Sequence, residues 1–125
     1  MPVTTEDKIK AVETYIGSFS TADVEAIVGL YADDATVEDP VGTPIKEGID
    51  AIRDFYTGAV ANGAQLELMG APRCAGDCVA FPFAANVNMG DKKAHVEIID
   101  TFRFNDDGKV IEMRAFWGPE NFITG

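Results

Sequence analysis

Histidine occurs once in this sequence, tryptophan once and cysteine twice, and each scarcity closes a route to function. One imidazole (His95) and one close thiol pair (Cys74 and Cys78, in "CAGDC") fall short of the four Cys or His ligands of a structural zinc site. No metal is therefore expected. Two thiols in a domain large enough to build its own core do not make a disulfide scaffold either. They fit a reducing compartment, so the cytoplasm is the expected location and both are read as ordinary strand-flanking residues. Basic residues are also scarce: 10 Lys and Arg face 21 Asp and Glu, for a net charge of -11. That balance repels phosphate backbones and anionic lipid, so neither nucleic acid nor a membrane is an expected partner. No apolar run approaches the roughly 20 residues of a membrane-spanning helix. The opening "MPVTTEDKIK" lacks the basic start and apolar stretch of a secretory signal.

What is present is largely apolar. Eight Phe and 46% hydrophobic residues in 125 fit one domain with its own core, spanning residues 1–125. Three helical patterns come first. Residues 5–19 space Ile9, Val12, Ile16 and Phe19 along one face, with Glu6 and Asp7 in the first turn. "STADVEAIVGLYA" offers Ser20 or Thr21 as an N-cap and sets Val24, Ile27, Val28 and Tyr31 on one side. Residues 48–61 carry a third stripe of Ile49, Ile52, Phe55, Tyr56 and Val60. Between the last two lies "ATVEDPVGTP", a short extended piece broken by proline and glycine. The second half alternates as strands do: "QLELMGAPR", "CVAFPFAANVNM", "KAHVEIIDTFRFN" and "KVIEMRAFW", separated by "AGD", "GDK" and "NDDG". Pro82 argues for an edge or a bulge where it falls. The expected class is α+β: three N-terminal helices packed on a curved, mostly antiparallel sheet that leaves a conical apolar pocket.

In "VEIIDTFRF" (96–104), alternation puts Val96, Ile98, Asp100, Phe102 and Phe104 on one face, with a carboxylate at the centre of an apolar set. A buried ion pair, a misread register or an acid kept neutral would each account for it. Arg103 has the opposite parity. So does Arg114, which is out of phase with Met113, Ala115 and Trp117, so no inner-face cation is at hand. "ATVEDPV" repeats the pattern, aligning Ala35, Val37, Asp39 and Val41 with Glu38 turned away. Tyr15 follows Ala11 by four and Val12 by three, which places a phenol on the buried stripe of the first helix. Tyr31 and Tyr56 are likewise expected on inner helix faces. Each has a plainer reading as a core phenol or a turn-forming Asp before proline. Together, a neutral acid and a phenol form a pair of donors for developing oxyanion charge, and an ionised Asp39 at the "DPVG" break is a general base. Acid, phenol and base together fit proton abstraction next to a carbonyl.

The segments "ADDATVEDPVG" (32–42), "AIRDFY" (51–56), "IDTFRFNDDGKV" (99–110) and "MRAFWGPEN" (113–121) resemble those of the Δ5-3-ketosteroid isomerases, and the resemblance covers nearly the whole chain. This family is a well-known case of a carboxylic acid held neutral at pH 7. The resemblance implies a cystatin-like cone fold, shared with nuclear transport factor two and scytalone dehydratase. It implies Asp39 as base, with Tyr15 and protonated Asp100 as oxyanion hole and Tyr31 and Tyr56 as supporting phenols. The implied apolar wall comprises Phe19, Val41, Phe55, Phe83, Met113, Ala115 and Trp117, with Trp117 near the base. An apolar 3-ketosteroid is the implied substrate, with no cofactor, and the implied assembly is a homodimer. Its outer sheet face would include His95 and Thr101. Rival readings on the same cone are a dehydratase, epoxide hydrolase or cyclase, or a non-catalytic steroid or lipid carrier.

Overall fold

The structure, a computed structural model, describes residues 3–124. Helix α1 (Thr5–Ser20) starts at Thr4, whose side chain accepts from the Asp7 N–H while the Asp7 carboxylate accepts from the Thr4 N–H. This reciprocal cap satisfies donors that the first turn would otherwise leave unpaired. Its inner face carries Ala11, Val12, Tyr15 and Phe19; Ile9 and Ile16 of the predicted stripe flank it and are only half-buried. Helix α2 (Val24–Val28) is shorter than predicted and is capped by Asp23, with Ser20 ending α1 and Thr21 its C-cap. The chain leaves α2 at Gly29, and Tyr31 opens strand β1 (Tyr31–Glu38). Tyr31 is therefore inward-facing on a strand, not on a helix. Helical phase happened to coincide with the inner face of the strand that follows.

Strand β2 (Lys46–Glu47) folds back on β1, and helix α3 (Ile49–Ala61) follows from Gly48. Gly48 holds φ at +86°, where a side chain is strained, and donates its N–H to the Ala35 carbonyl. The remaining strands are β3 (Gln65–Leu68), β4 (Arg73–Ala75), β5 (Cys78–Met89), β6 (Lys92–Phe104), β7 (Val110–Phe116) and β8 (Phe122–Thr124). They form one sheet in the order β2-β1-β7-β6-β5-β3, with β4 also on β5 and β8 also on β6. Every pairing is antiparallel except β1 with β7. The predicted strand 65–73 is thus two strands with a break.

That break explains Pro82. It lies in the middle of β5, opposite Ile99 of β6, and not on an edge strand. Its carbonyl accepts from Met69, so its missing N–H faces the gap between β3 and β4, where no ladder bond is required. On the inner face, Val12, Ile27, Val37, Ile52, Val79, Phe81, Phe102, Val110 and Met113 form one sealed core between helices and sheet. No helix among the described residues is long and apolar enough to cross a membrane.

Candidate active site

The three polar groups on apolar faces arrive from three separate elements. Tyr15 projects from the middle of α1 and is buried. Its hydroxyl stands 3.2 Å from that of Tyr56 on α3, and Tyr56 is 2.5 Å from the hydroxyl of Tyr31 on β1. Three phenols thus form a buried hydrogen-bonded chain ending at Tyr15. Rings of Phe19, Phe81, Phe83 and Phe102 meet Tyr15 edge-on, which fixes its orientation. Burial pushes the Tyr15 phenol well above its ordinary range; negative charge at Asp100 adds to this, while the bond from Tyr56 opposes it. It is a proton-bearing donor at neutral pH.

Asp100 sits at the centre of β6 between Phe81 of β5 and Ala115 of β7, and is 1% exposed. Its inner-face companions Val96, Phe102 and Phe104 are buried as the alternation predicts. The two candidate cations are elsewhere: Arg103 pairs with Glu112 at 3.4 Å and Arg114 with Glu38 at 3.3 Å. Neither Asp100 oxygen has a hydrogen-bond partner. Burial drives its carboxyl well above the usual carboxylate range, and the Asp39 charge drives it further. The neighbouring Tyr15 hydroxyl acts weakly the other way, short of hydrogen-bond geometry. An unpaired carboxylate in such a place is costly, which favours the neutral acid.

Asp39 closes the set from the end of β1. It is half-buried, and its Oδ1 accepts from the Trp117 indole N–H at 3.0 Å. Burial raises its carboxyl above the ordinary value, and the indole bond and the Lys46 charge pull it back. Beyond it, Val41 donates its N–H to the Ala115 carbonyl. Glu38 points away, accepting from the Gly42 N–H and from Arg114. Two adjacent acids on one strand are thus split between solvent and site by parity alone.

Tyr15, Asp39 and Tyr56 share the wall of a cavity of about 110 Å³ with Phe19, Phe55 and Phe83. Ala59, Ala64, Leu66, Ala85 and Ile98 complete it. Of the apolar residues named from the resemblance, Phe19, Phe55 and Phe83 are in this wall. Val41, Met113, Ala115 and Trp117 are not: Met113 and Ala115 are sealed in the core, and Trp117 reaches the site only through its bond to Asp39. The resemblance put Trp117 near the base without its indole bond, and sequence reasoning missed Lys46, whose ammonium lies over the Phe55 ring. Spacing alone carries no signal for either: the indole bond joins residues 78 apart in the chain, and the Lys46 contact depends on how β2 folds back on β1.

Residues 12–113 match the SnoaL-like domain family. The chain belongs to that family. A steroid Delta-isomerase from Nocardioides simplex is 38% identical over 114 residues, covering 91% of this chain and 92% of that protein. This relationship places the chain with the steroid Δ-isomerases, as the four segments predicted. Epoxide hydrolase LasB from Streptomyces lasalocidi is 29% identical over 124 residues, and the match spans 94% of this chain but only 43% of that protein. Among solved structures, the epoxide hydrolase/cyclase-like enzyme SalBIII, described for pyran ring formation in the polyether salinomycin, superposes with a TM-score of 0.86. It shows 30% identity, covering 94% of this chain and 95% of that one. The SnoaL-like family and this superposition give the expected α+β cone fold.

Proposed function

We propose that this enzyme isomerises 3-oxo-Δ5-steroids to conjugated 3-oxo-Δ4-steroids. The observation that carries the reading is Asp100: a sealed, unpartnered acid close enough to the Tyr15 phenol and to the half-buried Asp39 to feel both, though not itself in the wall of the cavity those two share. A buried donor without an acceptor calls for an explanation, and a substrate oxygen supplies one. The substrate carbonyl oxygen would accept from the Tyr15 hydroxyl and, as charge develops, from the Asp100 carboxylic acid. Asp39 would take a proton from C4, leaving a dienolate whose charge the two donors hold. The same carboxyl would return the proton to C6, so the base is regenerated and no cofactor is consumed. Tyr56 and Tyr31 would spread the charge further along the phenol chain. The cavity is small beside ligand pockets of about 300–1,000 Å³. Only the reacting end of a steroid would fill it, with the remainder lying over the mouth unless the walls part.

The epoxide hydrolase and cyclase relatives supply a specific alternative on the same cone. An inner-face arginine paired with an acid, or an imidazole in the cavity, would favour such chemistry. Both candidate arginines instead pair on the outer face, and the single His95 bonds Asn86. An ultraviolet assay with 5-androstene-3,17-dione discriminates: growth of conjugated-enone absorbance supports the isomerase, and a flat trace with turnover of an epoxide supports the rival. Two further readings belong to this proposal. Ile99 and Phe116 face outward on adjoining strands at 49% and 42% exposure, a patch suited to a homodimer joined through the outer sheet face. Thr101 lies on that same face, paired with Arg114. The free thiols of Cys74 and Cys78 suit the cytoplasm.

A further inference from the structure

Lys46 stands where no surface lysine needs to be. The pairing of β2 with β1 sets it directly across from Val37. Cross-strand partners share a face, and Val37 is a sealed inner-face residue, so the Lys46 side chain leaves on the cavity side. Its ammonium lies 4.8 Å from the centre of the Phe55 ring, a cation–π contact with a residue of the cavity wall. Asp39, two residues beyond Val37 on the same parity, lines that same cavity. The neighbour Glu47 has the opposite parity and is exposed. Lys46 enters no ion pair among the described residues.

We propose that Lys46 is a positioning residue for the base: parked on Phe55 of the cavity wall, it supplies the counter-charge that lets Asp39 be both half-buried and anionic. This rests on the isomerase reading, in which Asp39 must act as an anion. The groups facing Asp39 can be named element by element. From the end of β7 comes the neutral Trp117 donor, from α1 the neutral phenol of Tyr15, and from β6 the neutral acid Asp100. From α3 come Phe55 and Tyr56, and from β2 comes Lys46. Glu38 and Arg114 are occupied with each other on the opposite face. Lys46 is thus the one cation in the set, and its charge favours the ionised carboxylate. The aromatic perch also explains how a flexible chain is held in place without a carboxylate partner that would cancel its charge.

The test reads Asp39 directly. The carboxyl carbon of Asp39, identified as the resonance lost in Asp39→Asn, is titrated by NMR in the wild type, Lys46→Met and Lys46→Arg. The expected result is a midpoint at higher pH in Lys46→Met and a wild-type midpoint in Lys46→Arg. In the isomerase assay, kcat/KM of Lys46→Met should fall by about threefold to tenfold on the acidic limb and stay unchanged on the alkaline plateau. An unmoved midpoint in Lys46→Met, or an equal displacement in Lys46→Arg, overturns the proposal. A wild type that shifts no double bond overturns the isomerase reading, while the titration still decides whether Lys46 serves Asp39.

Discussion

On the outer face of β6, Arg103 meets Glu112 across a gap of 3.4 Å, in contact with water. On its inner face, three residues earlier, Asp100 meets rings and methyl groups and has no partner at all. One strand therefore presents ionisable groups to two media. In water the pair contributes little, because solvent already stabilises both ions. Inside, a single carboxyl without a cation is pushed toward its neutral, hydrogen-bond-donating form. Asp39 stands between the extremes: half-buried, its carboxyl is raised by burial and pulled back by one indole N–H and one nearby cation. In the proposed reaction, two aspartates of one site would thus take opposite roles from their surroundings alone.

The contrast can be broken most severely at the base. Asp39→Asn keeps the shape and the indole contact but removes the anion, so kcat should fall by about 10²–10⁴, the usual weight of a general base. Binding of a steroidal phenol should survive, as followed by fluorescence titration of Trp117; full activity in this variant would remove Asp39 from its role. Next in size is Tyr15→Phe, which deletes one donor and breaks the phenol chain at its working end. Loss of one oxyanion donor costs on the order of 10²–10³ in kcat, and a purely raised KM would instead indicate uniform binding of ground and transition states.

Asp100→Asn sharpens the comparison through stability. A carboxyl whose folded value is raised carries no penalty below the unfolded carboxylate range near about 3.9. As pH rises above that range the unfolded chain releases its proton and the folded protein does not, so wild-type stability declines until the folded value is passed. Asn has no proton to release. The Tm of Asp100→Asn relative to wild type should therefore climb from acid toward neutral pH in parallel calorimetric scans, and a difference independent of pH would mean that Asp100 is not raised. The smallest effect belongs to the outer face. Arg114→Met opens the pair with Glu38 and should leave kcat within about twofold, since exposed pairs contribute little.

Much of this could be read without coordinates, and the reasons are local. The parity of Val96 to Phe104 singled out Asp100 because strand alternation is set by backbone geometry, whatever the partners. The stripe around Ala11, Val12 and Tyr15 likewise placed the phenol, because α1 is long and amphipathic. The misreadings share another cause. Tyr31 kept helical phase with Val24, Ile27 and Val28, but the chain had already left α2 at Gly29 for a strand with the same inward direction. Nothing near β1 announces its parallel pairing with β7, since the partners lie more than seventy residues apart, as Val37 and Met113 do. Pro82 looked like an edge because the gap between β3 and β4 that accommodates it is a tertiary feature. Trp117 reaches the base from a distant element, and Lys46 from the two-residue strand β2, too short for periodicity to have any hold.

The claim on which the chemistry depends most is that Asp100 carries its proton at neutral pH. Infrared difference spectroscopy of carboxyl-labelled protein, wild type minus Asp100→Asn at pH 7, reads that proton directly. A protonated carbonyl stretch assigned to Asp100 is the expected result. The paired symmetric and antisymmetric bands of a carboxylate would contradict it.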